Sequence, residues 1–216
     1  EFTNILGAAK ITGKTRNGLS VGVMESLTSK EMAEIDQEGF RRKETVEPLT
    51  NYFASRVSKE FDKGNTILGG ILTSTYRFIE DKSLNFLHTS AVTGGLDFKQ
   101  YFDKRTYMLG VTTYASQVAG PVEALIQTQR SPVHYYQRPD ADYLILDSTR
   151  TSLGGYGASL EAGKESGRLV FKTFLNMNSP GLELNDLGFM TSTDEITEIC
   201  WIGYRFTEHF SIFRYA

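Results

Sequence analysis

A chain of 216 residues can bury one large core or two small ones, so length alone sets no class. Hydrophobic residues make up 40%, yet no stretch approaches the roughly 20 consecutive apolar residues of a membrane-crossing helix, which excludes a helical membrane protein. A net charge of -3 with scattered Lys and Arg lacks the electrostatic footprint of a nucleic-acid binder, and 20 Gly, 11 Tyr and 14 Phe against 5 Pro favour strands and tight turns. Cys200 is the single cysteine, beside Trp201 and Ile202. It offers no intrachain disulfide or Cys-based zinc site, and reads as a buried or lipid-facing thiol. Glu1 opens no charged-then-apolar leader, so the start reads as that of a processed chain or an internal piece.

In chain order, Ile5 to Lys14 alternates with a period of two, Thr15-Arg16-Asn17-Gly18 supplies a hairpin turn, and Leu19 to Thr28 returns. Ser29 to Glu47 is charged and unpatterned, and is expected to be a long exposed loop. A second hairpin spans about Thr50 to Phe78 with its fold at Asp62-Lys63-Gly64-Asn65, and a third spans about Leu87 to Gln117, turning at Asp103-Lys104. About Val118 to Asp142 is irregular and holds three of the five prolines, with room for a helical turn from Pro121 to Gln129. A fourth hairpin runs from about Thr151 to Asn178. A fifth starts near Ile196 and folds near Thr207-Glu208.

Short and long connections alternate through about ten strands in five hairpins. Outer-membrane barrels show that rhythm, with short turns at one end, long loops at the other, and strands with one apolar and one polar side. The expectation is therefore an all-β, antiparallel up-and-down transmembrane β-barrel segment, part of a larger barrel. Leu72, Tyr156, Phe171 and Leu175 are assigned to its outer side, and Thr73, Arg77, Lys172 and Asn176 to its inner side. A soluble β-sandwich or jelly roll is the alternative.

Asn4 to Lys14 (NILGAAKITGK), Val46 to Val57 (VEPLTNYFASRV), Gly64 to Arg77 (GNTILGGILTSTYR), Thr93 to Phe98 (TGGLDF), Tyr135 to Asp140 (YYQRPD), Leu146 to Tyr156 (LDSTRTSLGGY) and Ser179 to Phe189 (SPGLELNDLGF) resemble the DUF5916 family. That resemblance spans nearly the whole chain. It implies a bacterial outer-membrane β-barrel of Bacteroidota and related bacteria, which usually follows a periplasmic module similar to carbohydrate-binding module family 9. It also implies that the barrel continues beyond Ala216. The family brings no catalytic residues.

Lys10, Lys14, Arg56, Arg77, Asp97 and Lys172 fall on polar strand faces and are candidates to line a lumen, pairing with acids such as Glu60 or favouring anionic solutes. Arg138, Asp140, Asp142, Asp147 and Arg150 gather in the longest loop, as a calcium or sugar site or, more cheaply, as an Arg-Asp network that pins the loop. Tyr135, Tyr136 and Tyr143 suit sugar stacking or loop packing alike. Glu183, Asn185 and Asp186 suggest paired carboxylates for glycoside hydrolysis, but turn and cap chemistry explains them more cheaply. His88, His134 and His209 have no metal-ligand spacing, so neither metal nor cofactor is expected. The expected function is non-enzymatic: passage or capture of a solute, with saccharide as candidate, or a barrel subunit of a larger envelope complex. Lipid, saccharide and other envelope proteins are the candidate partners. A carbohydrate-active hydrolase is the alternative from another class.

Overall fold

Alternating side chains and tight polar turns fold the chain into an antiparallel meander. The computed structural model describes residues 3–206. Its strands are β1 (Ile5–Lys14), β2 (Leu19–Thr28), β3 (Glu31–Gln37), β4 (Phe40–Glu47), β5 (Leu49–Phe61), β6 (Thr66–Phe78), β7 (Ser90–Phe102), β8 (Tyr107–Ala119), β9 (Ser152–Lys164), β10 (Leu169–Asn178) and β11 (Glu195–Tyr204). Nine of them form one sheet in the order β1-β2-β5-β6-β7-β8-β9-β10-β11, while β3 and β4 pair only with each other. The helix α1 (Val122–Arg130) lies between β8 and β9.

The expected transmembrane β-barrel segment is corrected by this topology, which closes no barrel. In the described residues the sheet is open, with β1 and β11 as its two edges. The outer-membrane location and the passage and barrel-subunit roles rested on a closed wall, and they fall with it. Among the described residues no helix is long and apolar enough to cross a membrane, which says nothing of strands. The fold is all-β with two open sheets.

A second correction concerns residues 29–47, expected as a loop. They form the β3–β4 hairpin around Glu38 and Gly39, whose positive φ angles of 54° and 87° make the tight turn. Its exposed strands alternate weakly and carry cross-strand charges such as Arg41 on Asp36 (3.2 Å), which hid the pattern from a hydrophobic reading. The turn expected near Thr207-Glu208 lies outside the described residues.

Pairing parity sorts the sheet into two faces, because residues directly opposite each other share a side. One row reads Lys14, Ser20, Ser58, Gly69, Asp97, Thr112, Ser159, Asn176 and Thr197. The other face has rows such as Gly13, Val21, Val57, Gly70, Leu96, Thr113, Ala158, Met177 and Ile196. Leu72, Tyr156, Phe171 and Leu175 belong to the apolar face. Thr73, Arg77, Lys172 and Asn176 belong to the polar one. The apolar face limits its strand-borne charges to Glu25, Lys59, Lys164 and Glu198.

Short turns occupy one end of the sheet and the long connections the other. The turn end is knitted by backbone bonds from each turn to the next strand, among them Glu60 N–H to Gly18 O (3.0 Å) and Glu165 N–H to Thr106 O (2.8 Å). The loop end holds the core, where Ala91, Val118 and Leu153 of the polar face pack under Ala124 and Leu125 of α1 and under Tyr136. The buried stripe of α1 is Ala124, Leu125, Thr128 and Gln129, the spacing of a single helical face. Gln129 then pins the following loop, exchanging two 2.9 Å bonds with the backbone of Asp147.

Loop residues 179–182 lie directly on β9, where a Cβ at Gly155 would collide with the Leu182 backbone. Gly155→Ala should therefore lower stability by about 1–3 kcal/mol, the range for overpacking. Gly13→Ala, with open space around its Cβ, should be near neutral. Urea unfolding of the two variants measures the difference, and equal stabilities would mean that the loop does not rest on the sheet.

Candidate functional site

The polar face carries its charges in pairs that span a glycine. Arg56 on β5 and Asp97 on β7 flank Gly69 of β6, and the guanidinium and carboxylate meet over it, one bond at 2.9 Å and a second shorter. A Cβ at Gly69 would sit 2.5 Å from both groups, so only glycine leaves room for the pair. Lys99 on β7 reaches Glu161 on β9 (3.7 Å) across Gly110 of β8, and Lys172 of β10 closes on the same carboxylate. Tyr114 of β8 lies over Gly157 of β9, its hydroxyl 2.9 and 2.8 Å from the side-chain oxygens of Asn176 and Asn178 on β10. One hydroxyl proton serves one acceptor at a time, so the two amide oxygens compete for it. Lys14 bonds Glu60 at 2.6 Å toward the turn end.

These contacts set the protonation behaviour of the face. Hydrogen bonding to Asp97 raises Arg56, and hydrogen bonding to Glu161 raises Lys172, so both stay charged. Burial pushes the Tyr114 phenol up, against the opposing bond to Asn176.

The loop end roofs this face through two buried polar clusters. Arg77 of β6 donates to Asp186 (2.5 Å) and to the His88 carbonyl (3.1 Å), while the His88 ring places Nδ1 3.1 Å from Asp186 and Nε2 2.7 Å from Thr128 of α1. Burial works to raise the Asp186 carboxyl, but the His88 bond and the Arg77 charge outweigh it and hold the group below the ordinary range. In the second cluster His134 donates from Nε2 to the Leu182 carbonyl (3.0 Å), leaving Nδ1 as an acceptor beside Ser131 Oγ (3.3 Å) and Glu183 (3.8 Å). Glu183 itself accepts the Asn185 N–H (2.7 Å), and its own N–H donates to Ser116 on β8 (2.9 Å).

Neither cluster is built for nucleophilic catalysis. Ser131 Oγ already donates to the Thr128 carbonyl (2.9 Å), and Ser131 and Glu183 both face the same ring nitrogen of His134, whereas a triad needs them on opposite nitrogens. Glu183 is buried and Asp186 partly buried, and both are engaged as turn and anchor groups. Among the described residues, no group of three or more His, Cys, Asp or Glu is gathered for a metal.

The loop residues singled out from sequence do not form one network. Arg138 and Tyr143 converge on Asp194, which precedes β11, with Tyr143 at 2.5 Å and Arg138 closer, while Asp140 stands 3.7 Å from Arg138. Arg150 and Asp147 form a separate contact at 3.8 Å, and Asp142 is exposed. Tyr136 is buried in the core, whereas Tyr135 and Tyr143 are exposed. Lys10 projects from the exposed edge strand β1. Arg77 leaves the strand-borne acids and pairs with the loop. Cys200 is exposed rather than buried, on the edge strand with Thr173 Oγ1 at 3.3 Å. Glu161, Asp194 and the three spanned glycines were missed; parity from Lys172 and Asp97 would have found Glu161, but nothing local points to Asp194.

Two measurements check this geometry. Gly69→Ala should split Arg56 from Asp97 and lower stability by about 1–3 kcal/mol, mostly through overpacking, since a half-exposed ion pair adds only about 0–1 kcal/mol. Double-mutant cycles between Arg56→Ala and Asp97→Ala should show coupling in the parent and none in Gly69→Ala; retained coupling would place the pair elsewhere. Burial depresses the His134 pKa below its unfolded value near 6.5, so protons favour the unfolded chain. His134 therefore contributes stability that is fully present above about pH 6.5 and declines as pH falls through its depressed value. Unfolding free energy should fall between about pH 6.5 and 5 in the parent, and less steeply in His134→Gln; parallel profiles would count against a neutral buried ring.

No curated protein and no solved structure matches the chain. Its full length, residues 1–216, matches the family described as a domain of unknown function, DUF5916, and the chain belongs to that family.

Proposed function

We propose that the chain is a non-catalytic binding module whose polar sheet face takes a neutral, polyhydroxylated solute, with saccharide as the candidate class. One observation carries this reading: the acids Glu60, Asp97 and Glu161 on that face are each paired with a base. Pairing withdraws these three carboxylates from acid–base work. It also gives a weak net field, which selects against strongly charged solutes. Between the pairs stand hydroxyls and amides, including Ser58, Thr112, Ser159 and Asn176, which can donate and accept toward sugar hydroxyls. Exposed Tyr135 and Tyr143 beside Arg138 supply apolar ring faces at the loop rim.

The hydrolase reading has less support, because Glu183 and Asp186 are held as structural groups beneath the loops.

Titration of neutral and acidic oligosaccharides against the folded chain, followed by ligand-observed NMR, tests the proposal. A neutral oligosaccharide should bind in the millimolar range, about −4 kcal/mol, and acidic ones more weakly. Thr112→Ala with Asn176→Ala should weaken binding roughly tenfold, the loss of about 1.4 kcal/mol of hydrogen bonding. Failure of every neutral glycan to bind folded protein would sink the reading. Hydrolysis of a glycan that disappears in Glu183→Gln or Asp186→Asn would replace it with the enzyme.

A further inference from the structure

The fold gathers charges that are scattered along the sequence. Each of the turn segments 14–18, 59–65, 102–106 and 164–168 holds two Lys or Arg, eight in all against four Asp or Glu. The long connections 29–47, 79–89, 120–151 and 179–194 hold fifteen acids against eight bases. A chain whose net charge is only -3 is therefore positive along its row of turns and negative at its loop end.

Two cations of the turn row are seated on carbonyls, unlike those of the polar face, which meet carboxylates. Lys59 donates to the Asn17 carbonyl of the first turn (2.5 Å). Arg105, in the third turn, bonds the second: Nε donates to Asn65 Oδ1 (3.2 Å) and Nη2 to the Gly64 carbonyl (3.1 Å). The Phe61 ring lies 5.7 Å from the Lys59 ammonium and the Tyr101 ring 5.2 Å from the Arg105 guanidinium. A carbonyl or a ring fixes a cation without cancelling its charge, and among the described residues neither base has an acid partner. Arg16, Lys63 and Lys104 add one exposed base to each of these three turns, Lys63 and Lys104 at positive φ angles of 54° and 53°.

Sheet order places the first three turns between β1 and β2, β5 and β6, and β7 and β8, so successive turns stand two strands, or about 9.6 Å, apart. A polyproline II segment points a side chain the same way every third residue, a repeat of about 9.3 Å. We propose that these turns dock an acidic segment of another polypeptide in that extended form, laid across the row with an Asp or Glu at every third residue facing one turn each. Acidic segments repel themselves into extended shapes, so docking on a fixed row adds little ordering cost. Asp62 and Asp103 stand among the bases and oppose a denser polyanion, such as nucleic acid with one charge per roughly 1.7 Å. This surface is separate from the polar-face binding proposed above, and either can fail alone.

The probe is the capped peptide Glu-Pro-Pro-Glu-Pro-Pro-Glu, and its control holds the same residues in the order Pro-Pro-Glu-Glu-Glu-Pro-Pro. In an NMR titration at low salt the probe should shift the amide signals of residues 15–18, 62–65 and 103–106, leave those of Val122–Arg130 in place, and bind roughly fivefold tighter than the control. Salt at about 1 M, where the screening length is about 3 Å, should largely abolish the shifts. Lys59→Gln with Arg105→Gln should weaken binding roughly tenfold while the strand amides stay protected from exchange. Asp103→Asn removes an opposing charge and keeps a residue type that tolerates the positive φ of 44°, so it should tighten binding about twofold. Equal affinity of the two peptides, or no shift at the turns, would overturn the proposal. So would turn-amide shifts that grow with protein concentration in the absence of peptide, because the acidic loop end of a second copy would then hold the row. Pelleting with phosphatidylglycerol vesicles that the double variant abolishes would overturn it as well, with lipid as the occupant.

Discussion

Contact across an intervening glycine is the interaction on which the polar face depends. Strands stand about 4.8 Å apart, so residues on alternate strands are separated by nearly 10 Å and ordinarily cannot touch over a side chain in between. Gly69, Gly110 and Gly157 remove that middle side chain, and Arg56–Asp97, Lys99–Glu161 and Tyr114–Asn178 meet in the space left. Each contact ties three strands rather than two. The same arrangement neutralises the face, since every spanning charge finds its opposite within the sheet.

The hairpins were legible in sequence because period two is strong and the turns carry their own chemistry, as Asn17-Gly18 does with Gly18 at a φ of 82°. The division of Leu72 from Thr73 and of Leu175 from Asn176 follows from that period alone. Closure was not legible. Alternating loop lengths fix which end each connection occupies, but they do not fix the number of strands or whether the outer two meet. The β3–β4 hairpin was hidden because charges span its pairing, Arg41 with Asp36 and Glu34, rather than an apolar stripe. Site residues divided the same way. Partners on the polar sheet face, such as Lys14 and Glu60, could be guessed from shared polarity, whereas Asp194 reaches Arg138 across 56 positions of chain.

The two ends of the sheet carry different kinds of stability. At the turn end, backbone bonds such as Tyr101 N–H to Asn65 O (2.8 Å) extend the ladder into the turns, and Arg105 donates to the Gly64 carbonyl (3.1 Å). At the loop end, order comes from a small apolar core and from buried polar anchors. Buried charges are costly unless every partner is in place, so the Arg77–Asp186–His88 cluster favours one loop arrangement over nearby alternatives.

That cluster also couples the roof to the face beneath it. Asp186 belongs to the loop before β11, Arg77 to β6, and His88 reaches Thr128 on α1, so a displacement of any one element strands a buried charge on another. Glu183 N–H on Ser116 and the close seat of Leu182 over Gly155 extend the same constraint onto β8 and β9. Opening the roof to admit a bulky solute from the loop end would break these bonds together. A solute approaching the polar face from its open side, between the charge pairs, disturbs none of them. The bonding pattern therefore favours entry across the sheet over entry through the loops.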